Sequence, residues 1–316
     1  MLTRINFLTA GESHGRGLLG IIEGIPSGLE ISKEYIDVQL KRRQMGHGRG
    51  GRMKIENDAV EIWSGVRDGK TIASPIGLIV RNKDWENWKN KMSVEKMKKT
   101  PRKVTLPRPG HADLAGVEKY GFDDIRNVLE RSSARETTMR VALASVCRKL
   151  LGDLGIHVAS RVVQIHDIVD SSSISSNFKI QKLNQLADKS PVRCLNGNIE
   201  KEMIQVIDHA KSQGDSVGGV FEVIATGIPH GLGSYTQWNK KLQAKITSLM
   251  MSVNAYKAIE IGSGFNSGAK FGSEIHDEIE WNGKRYIRSS NNAGGIEGGM
   301  SNAMPITIRM AMKPIP

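Results

Sequence analysis

The chain has 316 residues, 39% of them hydrophobic and 5% aromatic, enough for a sizeable core. Its 45 Lys and Arg against 33 Asp and Glu leave a net charge of +12, which suits anionic partners such as nucleic acid or phosphorylated small molecules. Two cysteines, Cys147 and Cys194, stand far apart with no partner at ligand spacing, and no segment reaches the roughly 20 apolar residues of a membrane span; a disulfide framework, a zinc site and a membrane protein are excluded, and a soluble cytoplasmic protein without a secretory leader is expected.

In chain order, Ile5 to Leu8 and Leu19 to Ile22 read as strands, and Lys33 to Arg43 as a helix. Ala59 to Trp63 and Ile76 to Val80 are strand-like, with Gly65 to Thr71 as a hairpin connection between them. The basic run from Lys89 to Lys103 reads as a mobile solvated loop. Ser133 to Leu154 is the strongest helix of the chain, and Ser133 with Glu136 forms a capping-box pattern at its start. Val158 to Ile168 is a strand, and Asn198 to Ser212 is an amphipathic helix stopped by Gly214. Val220 to Ala225 is a strand and Lys240 to Met251 a helix. Asn282-Gly283 marks a hairpin within Glu278 to Ile287, and Ile306 to Met312 alternates as a strand. Strands outnumber long helices without strict interleaving, which indicates an α+β layered protein.

A short internal repeat supports two related halves. Gly24-Ile-Pro-Ser-Gly-Leu29 recurs as Gly227-Ile-Pro-His-Gly-Leu232, an offset of 227 − 24 = 203 residues. Each copy follows a strand and precedes a helix.

Two stretches fit the dinucleotide pattern, Gly15 to Gly20 and Gly46 to Gly51, but neither has the strand before it and the helix after it that the pattern requires. Gly65 to Thr71 is one residue short of a P-loop, and neither the zinc-protease nor the serine-esterase signature occurs. Four clusters carry the chemistry. Gly11-Glu-Ser-His-Gly15 holds His14 between glycines at a strand end, exposed for proton transfer. Arg42 to Arg52 combines glycines with Arg43 and Arg49, whose planar forks suit phosphate. Arg108-Pro-Gly-His-Ala-Asp113 places His111 in a turn beside an arginine able to hold a carboxylate or phosphate. Glu130 to Thr138 crowds Arg131, Ser132, Ser133 and Arg135 at a helix start, where two cations are unfavourable unless an anion joins them.

Taken together these clusters resemble the chorismate synthase family, along with Met251-Ser-Val-Asn-Ala255, Glu260-Ile-Gly262, Ser290 to Gly295, Gly298-Gly299 and Met312-Lys-Pro314. The resemblance runs from the first residues to the last. It implies one domain over 1–316, a β-α-β sandwich with internal pseudo-duplication, assembled as a homotetramer in the cytoplasm. It implies reduced FMN, NADPH as a reductant, and 5-enolpyruvylshikimate 3-phosphate as the small-molecule substrate, with no nucleic-acid partner and no metal. The implied reaction is an anti 1,4-elimination giving chorismate and phosphate.

By position, the resemblance makes His14 and His111 the acid/base histidines, the first serving the leaving phosphate and the second the flavin. Arg43 and Arg49 fall on nicotinamide-cofactor positions that also face substrate phosphate, and Arg108 and Arg135 are read as further substrate contacts. Arg131, Ser132, Ser133, Asn254, Ala255, Gly298, Lys313, Pro314, Ile315 and Pro316 fall on flavin positions. Two departures stand out: Glu130 where the family commonly has Gly, and a chain that stops at Pro316 although family members continue for several dozen residues with an acid credited with substrate deprotonation. An omitted tail is expected. The alternatives are a binding relative without turnover and a basic nucleic-acid-binding protein.

Overall fold

The computed structural model describes residues 4–50, 55–97, 101–174 and 178–315. These fall into two compact units, one built from residues up to 45 and 49–150, the other from 46–48 and 151–315.

The N-terminal unit contains β1 (Asn6–Gly11), β2 (Gly17–Glu23), α1 (Lys33–Gln44), β3 (Val60–Ile62), β4 (Val66–Arg67), β5 (Lys70–Thr71), β6 (Ile76–Arg81), α2 (Trp85–Met92), α3 (Asp113–Tyr120), α4 (Arg126–Leu129) and α5 (Thr137–Asp153). Its main sheet is antiparallel, in the order β1-β2-β6-β3. Alternation along β2 turns Leu18 and Ile22 inward and leaves Leu19 and Ile21 outside. The inward face meets α1 through Ile36 and Leu40, one helical turn apart, and α5 through Met139, Ala142, Leu143 and Val146. Gly20 makes the close approach of α5 possible, because a Cβ there would lie 2.6 Å from Met139 Sδ. The Gly65–Thr71 stretch is a hairpin as expected, with Val66 paired to Thr71 and the turn residues Asp68 and Gly69 at positive φ.

The C-terminal unit contains β7 (His157–Ile165), β8 (Ile168–Val169), α6 (Gln181–Ala187), α7 (Gly197–Ser212), β9 (Gly219–Thr226), β10 (His230–Gly233), α8 (Leu242–Met251), β11 (Tyr256–Ile261), α9 (Gly272–Ile275), β12 (Ile279–Trp281), β13 (Tyr286–Arg288), β14 (Ile296–Glu297), β15 (Met300–Asn302) and β16 (Ile306–Met312). Its largest sheet runs β11-β16-β9-β7-β8. One face packs Ile306, Ile308 and Met310 against Leu242, Ile246 and Met250 of α8. The other face carries a row of charge: Arg161 pairs with Glu222 at 2.9 Å and Arg309 with Glu260 at 2.9 Å, on adjacent strands in register.

The repeat found in the sequence is a repeat of topology. In the first unit β1-β2-turn-α1-β3-β6 gives the order β1-β2-β6-β3; in the second β7-β9-turn-α8-β11-β16 gives β7-β9-β16-β11. The two opening glycines also do the same work. Gly24 has φ +84° and its missing Cβ would sit 1.8 Å from the Arg4 carbonyl oxygen; Gly227 has φ +79° and its missing Cβ would sit 2.1 Å from that of Gly155. The fold is α+β with an internal pseudo-duplication.

Two local expectations are corrected. The helix expected from Ser133 starts at Thr137, after a 3-10 turn over Ala134–Glu136. The basic run begins inside α2 rather than in a loop, with Lys89 and Lys91 on that helix. The Asn282-Gly283 hairpin forms as expected, with Trp281 paired to Tyr286 and the Asn282 N–H donating to the Arg285 carbonyl at 3.2 Å.

Gly24→Ala and Gly227→Ala are each expected to lower unfolding free energy by more than about 2 kcal/mol, because strain at positive φ and a backbone collision add. Gly28→Ala, at φ +84° with open space where its Cβ would go, should cost no more than about 1–2 kcal/mol. Urea denaturation of the three variants distinguishes these outcomes.

Candidate active site

His14 sits on the turn joining β1 to β2, and a buried carboxylate grips it twice. Glu130, 2% exposed, accepts from the His14 backbone N–H at 2.7 Å and lies 2.8 Å from its Nδ1. The Ser13 N–H donates to the Glu130 carbonyl at 3.0 Å, and Ser133 Oγ donates to Ser13 Oγ at 3.2 Å, so the turn is fastened along the segment that follows α4. The imidazole stacks on Trp88 with ring centroids 3.9 Å apart, and its Nε2 lies 4.0 Å from Asp84 Oδ2. Asp84 is held in turn by the Trp88 indole N–H at 3.0 Å and by Asn87 at 2.8 Å.

A second buried group fixes the flanks of that turn. Asn82, just after β6, donates to the carbonyls of Glu12 at 3.1 Å and Gly15 at 2.8 Å, one on each side of His14. Its own oxygen accepts from Arg135 Nε at 3.0 Å and Nη2 at 2.9 Å. Arg135, 7% exposed, also meets Asp58 at 2.6 Å and Glu56 at 3.6 Å. Two acids of the same unit therefore lie against this crowded helix start. Arg135 thus pairs with Asp58 and Glu56 of the same unit. Ser133 caps by accepting from the Arg135 N–H at 3.3 Å. Glu136 does not close the expected capping box: its carboxylate accepts from Thr9 Oγ1 at 2.8 Å and from Arg140 at 2.9 Å.

The second histidine has a parallel arrangement. Asp113, 1% exposed in the first turn of α3, bonds His111 Nδ1 through Oδ1 and accepts from Arg108 Nε at 3.0 Å and the Arg108 N–H at 3.1 Å through Oδ2. With Nδ1–H given to Asp113, Nε2 accepts from Arg108 Nη2 at 3.2 Å. Burial pushes the Asp113 carboxyl up, but hydrogen bonds from Arg108 and His111 outweigh it and hold the group below the usual aspartate value of 3.8.

The remaining predicted residues divide by unit. In the N-terminal unit, Arg43 donates to Thr137 Oγ1 and the Ala134 carbonyl, both at 3.0 Å, and lies 3.7 Å from Asp58. Arg131 is exposed and donates to the carbonyls of Thr9 at 2.8 Å and Gly11 at 3.3 Å, while Ser132 Oγ donates to the Val128 carbonyl at 2.8 Å. Arg49 is exposed. In the C-terminal unit, Ala255 takes φ +70°, strained for a residue with a side chain, and its carbonyl accepts from the Lys313 N–H at 3.0 Å. Asn254 precedes it in the turn between α8 and β11. Gly298 is exposed with open space where a Cβ would stand. Pro314 and Ile315 are exposed, and Pro316 lies outside the described residues. A cleft of about 490 Å³ in the same unit is lined by Glu222, Ser263, Asn266, Asn291 and Arg309, and contains none of the predicted residues.

Reading the sequence missed Asn82, Asp84 and Trp88. Their signal was the tract Asn82-Lys-Asp-Trp85-Glu-Asn-Trp88, polar and aromatic residues following directly on a strand end and interleaved with lysines. It also missed Glu56 and Asp58, acids that look solvated in a polar stretch and are buried.

Comparison with known proteins settles the family. The chorismate synthase family model matches residues 5–316. The chain belongs to the chorismate synthase family. The chorismate synthase of Listeria welshimeri is 52% identical over 316 residues, spanning 99% of this chain and 81% of that protein. The chorismate synthase of Enterococcus faecalis is 53% identical over the same shares, and chorismate synthase 2 of Bacillus cereus is 52% identical over 318 residues, with 99% and 81% covered. A crystal structure of chorismate synthase superposes with a TM-score of 0.84 at 44% identity, covering 99% of this chain and 86% of that one. Among the described residues, no helix is long and apolar enough to cross a membrane.

Arg135→Ala is expected to cost about 3–5 kcal/mol by stranding two buried carboxylates, whereas Arg131→Ala at the exposed neighbouring position should cost under about 1 kcal/mol; chemical denaturation of both variants checks the contrast. Asp113, held below 3.8, stabilises the fold fully above that value and loses its contribution as pH falls through its lowered one. Asp113→Asn should therefore be less stable than the parent at pH 7 and converge with it in acid. A gap that stays constant between pH 7 and pH 2 would refute this.

Proposed function

We propose that this chain removes phosphate from 5-enolpyruvylshikimate 3-phosphate by anti 1,4-elimination, giving chorismate, with reduced FMN as cofactor and NADPH as a possible source of its electrons. The observation that carries the reading, beside family membership, is that His14 and His111 each place Nδ1 against a buried carboxylate; Nε2 of His14 then faces away from Glu130, while Nε2 of His111 meets the Arg108 guanidinium. His14 is assigned to the departing phosphate, which leaves more readily when it receives a proton and meets cationic groups. Arg43 and Arg49 are assigned to phosphate and to the nicotinamide cofactor. Arg108 holds His111 and Asp113 in place and contacts substrate from that position.

Arg131, Ser132, Ser133, Asn254, Ala255, Gly298 and Lys313 to Pro316 are assigned to FMN by their place in the family pattern. When bound, reduced flavin supplies an electron-rich partner for the elimination. The positive surplus of the chain favours both the reduced flavin and the phosphorylated substrate. A homotetramer is supported by the outer face of the N-terminal sheet, where Leu8, Leu19, Ile21 and Trp63 are exposed, an apolar surface that monomers rarely leave open. A cytoplasmic setting fits the two free cysteines.

Under anaerobic conditions, the chain with dithionite-reduced FMN and the enolpyruvyl phosphate should release phosphate and develop chorismate absorbance together. His14→Ala and His111→Ala should each lower kcat by about 10²-fold or more. Absence of both turnover and binding of reduced FMN and the enolpyruvyl phosphate by the parent chain would sink the reading.

A further inference from the structure

The Glu130 carboxyl group sits where water is excluded. Its side chain is 1% exposed, so removing it from water needs compensation by donors. Both donors come from one residue: the His14 backbone N–H reaches Oε2 at 2.7 Å and His14 Nδ1 faces Oε1 at 2.8 Å. The carboxylate and the histidine are 116 residues apart in the chain, so the pairing is a product of the fold. Trp88, stacked at 3.9 Å, and Asp84, 4.0 Å from Nε2, also face the ring.

We propose that Glu130 is a positioning residue for His14, fixing the imidazole as the Nδ1–H tautomer and aiming Nε2 as its one exchangeable nitrogen. The inference rests on the assignment of His14 to the leaving phosphate. A carboxylate offers two acceptor oxygens, matching two converging donors. A glutamine at the same site offers one acceptor and turns an NH₂ toward the other donor. The ring then loses its reason to keep the proton on Nδ1, and the nitrogen offered at the working position is no longer defined. A role confined to anchoring the turn would need only the backbone contact and would leave the tautomer unaffected.

The test compares the full chain and its Glu130→Gln variant, both labelled with ¹⁵N-histidine, by two-bond proton–nitrogen correlation spectra at a pH where the ring is neutral. His14→Gln identifies the His14 signals, and steady-state turnover is measured alongside. The expected parent spectrum shows a protonated Nδ1 and a bare Nε2 for His14. In Glu130→Gln the signals should move toward the opposite tautomer, with kcat down about 10²-fold and KM within about twofold. A parent His14 protonated on Nε2 overturns the proposal without any variant, and so decides the matter even if Glu130→Gln fails to fold. A folded Glu130→Gln with unchanged signals, or with changed signals and parental kcat, also overturns it. Failure of the parent chain to turn over while its His14 shows the Nδ1–H form would count against the assigned reaction and leave the positioning of the ring standing.

Discussion

The buried guanidinium of Arg135 is the constraint on which the arrangement around His14 depends. It lies at the start of α5, meets Asp58 and Glu56, and orients the Asn82 oxygen that it shares. Asn82 can then present its NH₂ to the carbonyls on both sides of His14. Four sequence regions that share no local pattern are thereby locked to one another. A charge of this kind contributes little net stability compared with an apolar filling, but it specifies which partner each polar group takes. The turn carrying His14 is rigid because its neighbours have no other way to satisfy their hydrogen bonds.

The two histidine centres solve one problem by different routes. At His111 the carboxylate is two residues away in sequence and seated in the first turn of a helix, so local structure builds the pair. At His14 the carboxylate arrives from beyond α4, and tertiary structure builds it. The difference shows in how each could be read. Arg108-Pro-Gly-His-Ala-Asp113 displays its whole set of partners within six letters. Glu130 looks like a helix-entrance residue until the chain folds.

The same division governs what the sequence made legible elsewhere. Strands with strict alternation, such as Ile306 to Met312, were readable to the residue, because one face is buried and a shift of one position would reverse it. The repeat at Gly24 and Gly227 was readable because a backbone collision admits only glycine at each. The start of α5 was misread for a reason equally physical. Ser133 and Glu136 have capping-box spacing, but Thr9 and Arg140 compete successfully for the Glu136 carboxylate. The partners of Arg135 were not legible because its buried acids lie 77 and 79 residues upstream in the chain, at Asp58 and Glu56. Charge at a helix end is visible in sequence; what neutralises it is not.

The order of strands in the C-terminal sheet has a consequence for how the chain is made. β16, the last strand among the described residues, lies between β9 and β11 rather than at an edge. While the ribosome is still adding residues before Ile306, β9 and β11 therefore each lack a neighbour and present unpaired backbone along their length. Such edges are templates for pairing with other nascent chains. The sheet can close only late, across a separation in sequence of 80 residues or more between β9 and β16, which makes its assembly slow. Production of this protein should thus be limited by association of incomplete chains, a hazard created by topology and independent of any residue in the site.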